Sequence, residues 1–209
     1  MQTNDESRLR EFLDRAEILS VVQSWGLLRD EGRWDELRTL YAPGALQTTS
    51  WAMGTAAEFI NRCIEGAKKP GARRSMHSIG ASVIELNGDR AIAETRRIIL
   101  TRAVVHGVLV DLTNYGRSYD RFVRHGGAWK IQQRNGIYER DRMDPVDSTQ
   151  TLQLDAAELA KYPEGYRYLA YLQAGAGERI SPNLPTPNSP ELTRLCAAGR
   201  AWLKGEAAA

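Results

Sequence analysis

Two strand-like segments joined by a tight turn occupy residues 76–105, which read MHSIGASVIELNGDRAIAETRRIILTRAVV. Asn87-Gly88 is typical of a two-residue hairpin turn, because the central positions of that turn need positive φ angles. The flanking segments, 76–86 and 90–105, are rich in aliphatic and β-branched residues. Both are longer than the usual strand of about five or six residues, so we expect a bent, twisted antiparallel sheet.

Two further strands are predicted after this hairpin. Residues 108–123 alternate small, polar and aromatic side chains, and Gly126-Gly127 turns the chain into a last strand at 128–140. A shorter β-leaning segment lies ahead of the hairpin, at 45–51.

Helices are predicted ahead of the hairpin at 6–31, 33–42 and 56–69. The first carries apolar residues at three- and four-residue spacing, which predicts a core-facing stripe: Leu9, Phe12, Leu13, Ala16, Leu19 and Val22. Helices followed by long antiparallel strands are typical of an α+β fold, with three N-terminal helices packed against a curved, cone-shaped sheet.

The chain of 209 residues is predicted to form this α+β cone over 1–143 and a C-terminal extension over 144–209. The extension reads as a helical stretch interrupted at Pro163, a proline-rich strap over 181–190 and a last helix that follows. Its tyrosines and leucines are too many apolar groups to leave in water, so we expect the extension to pack on the cone or on a neighbouring subunit.

Charge and composition narrow the possible partners. The net charge of +2, from 28 basic and 26 acidic residues, gives no electrostatic case for nucleic acid or an anionic membrane. No apolar run approaches the ~18 residues that a membrane helix needs, and the first residues lack the apolar core of a secretion signal. Cys63 and Cys196 fall in no motif. We therefore expect a cytoplasmic protein that works without a metal or a cofactor.

Asp30 and His77 are the candidate catalytic residues. Asp30 shares the core-facing direction of the first helix, and His77 shares a strand face with Ile79. Each also has an ordinary interpretation, Asp30 as a solvated helix-end residue and His77 as a buried core histidine. As a pair they are more informative, because a carboxylate that holds one imidazole nitrogen leaves the other free to accept a proton.

The order of these segments resembles the SnoaL-like group of the nuclear transport factor 2-like superfamily. The resemblance covers roughly residues 8–142 and rests on three stretches: RAEILSVVQSWGLLRDEGRWDELRTLYAPGA, MHSIGASVIEL with its Asn-Gly turn, and GGAWKIQQRNG. It is most specific for the branch with scytalone dehydratase, hexachlorocyclohexane dehydrochlorinase and bile-acid dehydratase. That branch uses an aspartate–histidine dyad, which implies Asp30 and His77 here. An arginine often follows the closing strand's tryptophan by five residues, which implies Arg134 as a third catalytic residue.

The expected substrate contacts are aromatic or cationic residues of the cone: Tyr41, Trp51, Arg97, Tyr115 and Tyr119. Tyr115 and Tyr119 alternate onto one face of their strand, and we expect Arg97 to face them from the strand before. An aromatic-rich cone with a few cations suits a small hydrophobic or aromatic molecule better than a sugar phosphate.

The resemblance implies a cofactor-independent lyase. His77 would take a proton, Asp30 would orient it, and Arg134 or a tyrosine would steady the departing oxygen, in a dehydration or a retro-aldol release of formaldehyde. An isomerase or cyclase of the same fold is one alternative, and a non-catalytic module like a dioxygenase small subunit is another. The resemblance also implies a homodimer or homotrimer formed through the outer sheet face.

Overall fold

The computed structural model describes residues 2–69 and 75–206. Residues 1, 70–74 and 207–209 lie outside it, and with them the outer ends of the predicted segments 1–143 and 144–209. Its elements in chain order are α1 (Gln2–Asp30), α2 (Trp34–Thr39), β1 (Tyr41–Thr48), β2 (Met53–Thr55), α3 (Ala56–Ala67), β3 (Ser75–Asn87), β4 (Arg90–Val105), β5 (Val108–His125), β6 (Ala128–Pro145), α4 (Ala156–Leu159), a 3-10 turn (Glu164–Tyr166), α5 (Arg167–Ala174) and α6 (Pro190–Lys204). The α+β prediction is confirmed.

Within the described residues the strands form one six-stranded sheet in the order β2-β1-β6-β5-β4-β3. The sheet is curved and does not close on itself. Its neighbours are antiparallel except β1 and β6, which run parallel. The register shifts in β3 and between β5 and β6, and such bulges bend a strand and increase its twist.

Local chemistry explains where the main elements begin and turn. Asn87 pairs with Arg90 across the predicted hairpin turn, and Gly88 has a positive φ of 57°. Thr55 and Glu58 form a capping box that starts α3. The first strand begins at Tyr41, earlier than predicted, because Tyr41 pairs with Ile131 of β6.

The second half of α1 packs on one face of the sheet, here called the concave face. Ile18, Val22 and Trp25 are buried there against a cluster that includes Phe122 and Ile131. At 1.5 Å per residue the helix is about 43 Å long, and its first turns extend past this core.

The predicted stripe of α1 is therefore wrong in its first half. Leu9, Phe12 and Leu13 are 57%, 67% and 56% exposed. Leu9 and Leu13 line an open surface groove of about 710 Å³ beside the β3–β4 turn, and Asp89 and Arg124 form part of its wall. This groove is separate from the Asp30–His77 pair.

The segment after Pro145 packs on both faces of the sheet. On the concave face, α5 and the 3-10 turn bury Tyr166 and Leu169 against a cluster that includes Leu112. On the opposite, convex face, α6 covers Tyr119 together with Ile92 and Ile137. None of the described helices combines the length and apolarity needed to span a membrane.

Candidate active site

A close approach of helix and strand brings Asp30 to His77. A Cβ atom added at Gly26 would lie 3.0 Å from the Ile79 side chain and 3.1 Å from the carbonyl oxygen of His77, so only glycine lets α1 come this near to β3. Asp30 lies one helical turn later on the same side of α1. It is the last residue of the helix, beside the start of β3.

Asp30 accepts two hydrogen bonds from His77. Its Oδ1 lies 2.7 Å from the ring Nδ1, and its Oδ2 accepts the backbone N–H of His77 at 2.5 Å. Burial alone would raise the pKa of Asp30, but the hydrogen bonds from His77 and the charge of Arg29 hold that pKa below its usual value. The carboxylate of Asp30 is therefore ionised and accepts a hydrogen bond from the imidazole. The ring proton lies on Nδ1, and Nε2 keeps its lone pair.

Burial keeps the imidazole neutral. The side chain of His77 is only 9% exposed, and the edge of its ring meets Trp25 at 5.5 Å between centroids. Burial lowers the pKa of His77 to about 4; Asp30 opposes this, while the positive charges of Arg29 and Arg97 add to it. An uncharged Nε2 is the form that accepts a proton.

Arg134 lies in β6 and forms an ion pair with Asp120, a residue that the sequence did not single out. Its Nε and Nη2 donate to the two oxygens of Asp120 at 2.8 Å and 2.6 Å, and both side chains are almost fully buried. The guanidinium carbon also lies 4.3 Å from the centroid of the Trp25 ring. The Nη1 atom is buried and has no acceptor among the described residues.

Tyr41 lies in a hydrogen-bonded chain beside Arg134. Trp25 donates its Nε1–H to the Tyr41 hydroxyl at 2.6 Å, and that hydroxyl donates to Gln47 at 2.8 Å. Gln47, also missed by the sequence reasoning, is buried opposite Arg134 in the parallel β1–β6 pair. Burial raises the pKa of Tyr41, so its phenol stays protonated.

Trp51 is half-buried in the loop between β1 and β2. Its ring packs 5.4 Å from Phe59 of α3, with the guanidinium of Arg62 at 4.6 Å on its face. Phe59 in turn stacks on Trp25 at 6.2 Å. Trp51 is thereby linked through one aromatic contact to the ring that touches His77.

Arg97 lies on the concave face of β4 and is 6% exposed. Its guanidinium carbon is 4.8 Å from the centroid of the Tyr138 ring, a further residue the sequence reasoning missed. A Cβ atom added at Gly136 would come within 3.0 Å of the Arg97 Nη2, so this glycine makes room for the guanidinium. Burial lowers the pKa of Arg97.

The prediction that Tyr115 and Tyr119 line the cone with Arg97 is wrong. Arg97 pairs with Gly116, so the side chains of both tyrosines point to the opposite, convex face. Tyr119 is buried there under α6. Tyr115 lies beside the guanidinium of Arg140, 4.8 Å from its ring centroid.

The concave face thus collects a neutral base, a buried ion pair and a second buried guanidinium. This arrangement can take a proton from a ligand and stabilise negative charge that develops on it. In the part of the chain that the structure describes, no three His, Cys, Asp or Glu side chains converge as they would around a metal ion.

A helix-backed curved sheet of this kind is the fold of nuclear transport factor 2-like and cystatin-like proteins. Residues 10–135 match the SnoaL-like domain, and the chain belongs to the SnoaL-like family.

Two curated fungal proteins are similar to nearly the whole chain. A PEP2-like protein of Fusarium vanettenii is 30% identical over 217 residues, which covers 99% of this chain and 91% of the relative. Pea pathogenicity protein 2 of the same fungus is 28% identical over 203 residues, covering 93% of this chain and 87% of the relative. The similarity therefore continues beyond the SnoaL-like domain into the C-terminal extension.

Two solved structures match about two thirds of this chain. An NTF2-like protein with a cystatin-like fold from Novosphingobium aromaticivorans superposes with a TM-score of 0.51 at 23% identity, over 64% of this chain and 87% of that one. The beta subunit of a putative aromatic-ring-hydroxylating dioxygenase from the same bacterium gives a TM-score of 0.50 at 20% identity, over 70% and 95%.

Proposed function

We propose that the protein is a cofactor-independent lyase that removes a proton from a small hydrophobic, aromatic substrate. One observation carries the proposal, the buried imidazole of His77 whose Nδ1 is held by Asp30, which leaves Nε2 as the ring nitrogen that can act as a base. Membership of the SnoaL-like family, which includes dehydratases and isomerases, is consistent with it.

In the dehydration form of the reaction, Nε2 of His77 accepts a proton from a substrate carbon. The electron pair of the broken C–H bond forms a C=C bond, and the adjacent C–O bond breaks. Asp30 stabilises the imidazolium, which returns the proton to the departing hydroxyl so that water leaves. A positioned general base of this kind contributes typically about 10²- to 10⁴-fold to the rate.

In the retro-aldol form, Nε2 takes the proton of a substrate hydroxyl instead. The C–C bond beside the resulting alkoxide breaks, and formaldehyde leaves while the carbanion is stabilised by its aryl group. The imidazolium of His77 then returns its proton to that carbon. An isomerase of the same fold begins with proton removal from carbon but returns the proton to another carbon. The three outcomes differ in product, not in the role of His77.

The aromatic surroundings favour an aromatic substrate. Trp25 meets His77 edge-on and stacks on Phe59, and Phe59 packs against Trp51. Rings of this kind bind flat apolar ligands well, while a few polar groups fix the orientation.

The test compares His77→Ala and Asp30→Asn with His125→Ala, which removes an exposed histidine at the β5–β6 turn. Each variant is incubated in D₂O with aryl β-hydroxy ketones and aryl-1,3-propanediols, and loss of water or formaldehyde is followed by mass spectrometry. We expect the first two variants to lose at least about 100-fold in rate and the control to match the wild type.

A second measurement needs no substrate. Nitrogen-15 NMR of His77 at pH 6 should report a neutral ring with its proton on Nδ1. A protonated ring, a proton on Nε2, or full turnover by His77→Ala would each refute the proposed base.

A further inference from the structure

We propose that Arg97 binds a carboxylate group of the ligand, so that the natural substrate is an aromatic carboxylic acid. This inference rests on the proposed function for the ligand's aromatic part. The carboxylate site itself is argued from the charges and unpaired nitrogens of the concave face.

Arg97 is a buried cation of this face that forms no ion pair with any residue the structure describes. Arg134 is neutralised by Asp120 through two hydrogen bonds. The charge of Asp30 is shared between His77 and Arg29. Among the described residues, no carboxylate comes within ion-pair distance of the Arg97 guanidinium. Burying a charge without a partner costs folding free energy, so we expect the unpaired guanidinium of Arg97 to have a functional role.

Two guanidinium nitrogens on this face have no acceptor. The Nη1 atoms of Arg97 and Arg134 are both buried, and neither donates a hydrogen bond to any residue the structure describes. The unused N–H groups of Arg97 Nη1 can donate to a carboxylate oxygen in a charge-assisted hydrogen bond.

The site around Arg97 is built to hold the guanidinium still. The ring of Tyr138 supports it at 4.8 Å, and the Tyr138 hydroxyl is fixed because it accepts the backbone N–H of Ser50 at 2.8 Å. Gly136 provides the space that the guanidinium fills. A fixed donor loses little conformational freedom when a ligand binds, which increases affinity.

A carboxylate fits better than a phenol at neutral pH. A carboxylic acid with a pKa of about 4 is ionised, whereas a phenol with a pKa of about 10 carries a proton and no charge. A bound carboxylate would also offset the positive charge of Arg97 that disfavours protonation of His77. Binding of the acid would thereby make His77 a stronger base when substrate is present.

The test measures affinities of 2-naphthoate, its neutral analogue 2-naphthamide, and 2-naphthol by tryptophan fluorescence at pH 7. The proteins are the wild type, Arg97→Gln, Arg97→Lys and Arg96→Gln, the last removing an exposed arginine from the adjacent position of β4. A charge-assisted hydrogen bond contributes about 1.5 to 3 kcal/mol, so the wild type should prefer the acid over the amide by about 10- to 100-fold.

We expect Arg97→Gln to abolish this preference, Arg97→Lys to keep part of it and Arg96→Gln to keep all of it. Equal affinity for acid and amide in the wild type, no binding of the acid, tighter binding of 2-naphthol, or an unchanged preference in Arg97→Gln would overturn the proposal. Arg97→Lys keeps the positive charge, so it provides the comparison if Arg97→Gln does not fold.

The same measurement in His77→Ala separates the two proposals. We expect that variant to keep the preference for the acid, because binding does not need the base. If His77→Ala retained full turnover while the acid preference still depended on Arg97, the lyase mechanism would fail and the carboxylate site would stand.

Discussion

Both carboxylate oxygens of Asp30 are engaged by His77, one by its ring and the other by its backbone amide. The ring contact selects the tautomer, and the backbone contact ties the start of β3 to the end of α1. Because its oxygens are turned to His77, Asp30 acts through the imidazole, and the group left for a ligand is Nε2.

The first prediction concerns pH. Because burial lowers the pKa of His77 from 6.5 to about 4, kcat/KM should fall at low pH with a midpoint near 4. Relative to a His77→Ala protein, the wild type should lose stability over the same interval, since between pH 6.5 and 4 the unfolded His77 binds a proton that the folded His77 does not bind. Rate profiles and urea unfolding across this range check both effects. A kinetic midpoint near 6.5 would contradict the buried, neutral imidazole.

The second prediction concerns the Asp120–Arg134 pair. Asp120→Leu leaves a buried guanidinium without its partner and should cost about 3 to 5 kcal/mol of unfolding free energy. Asp120→Leu combined with Arg134→Met should recover most of that loss, because both charges are then gone. Urea denaturation measures each change.

The matched control is the exposed ion pair of Arg102 and Asp111. Asp111→Asn should leave the unfolding free energy nearly unchanged, since solvent screens that pair. If Asp120→Leu were as mild as this control, the buried pair would have no structural role.

The third prediction concerns Asp141, which accepts the backbone N–H of Leu169 at the start of α5. Burial raises the pKa of Asp141 from 3.8 to about 6 despite hydrogen bonds from the backbone of Tyr168 and Leu169. Relative to an Asp141→Asn protein, the wild type therefore loses stability as pH rises from about 4 to 6, because the carboxyl of Asp141 ionises first in the unfolded chain. Asp141→Asn should be more stable than the wild type by about 1 to 2 kcal/mol at pH 7.

The gain from Asp141→Asn should vanish near pH 4, where the wild-type carboxyl is protonated as well. Thermal unfolding at the two pH values measures the difference. Asp144→Asn, at an exposed position of the same strand, should show no such gain. An Asp141→Asn protein destabilised equally at both pH values would show that the carboxyl charge does not matter there.

The fourth prediction concerns α6. A Cβ atom added at Gly199 would lie 2.1 Å from the hydroxyl of Tyr119, so Gly199→Ala should push α6 off the convex face. We expect faster proteolysis between α5 and α6 and a lower Tm. Ala198→Ser, at an exposed position of the same helix, is the control. Unchanged proteolysis of Gly199→Ala would mean that α6 is not held through this contact.

Much of the fold could be predicted from local signals. The Asn87-Gly88 turn, the glycine pairs and the long β-rich segments mark the sheet because hairpin turns demand particular residues. The positions of Asp30 and His77 on the inner faces of their helix and strand made them candidates, and the resemblance to the SnoaL-like group implied that they form a pair. The contact between them also depends on Gly26, whose role becomes visible only once α1 and β3 are packed.

The sequence of β5 does not show which of its residues face the concave side of the sheet. A strand with one solvent-exposed face shows a clear alternation of polar and apolar residues. Both faces of β5 are covered, the convex one by α6. The aromatic series with Tyr115 and Tyr119 therefore looked like the inner face. The true inner series contains Ser118, Asp120 and Phe122, whose mixture of polar and apolar residues carries no periodic signal.

The parallel pairing of β1 with β6 has a consequence for how the protein folds. Gln47 and Arg134 lie side by side, although β2, α3, β3, β4 and β5 all lie between them in the sequence. Closing so long a loop is entropically costly and slow, so local hairpins form well before this pair meets. The chain beside Tyr41, Gln47 and Arg134 is thus completed late in refolding, and binding competence should return only with the slowest kinetic phase.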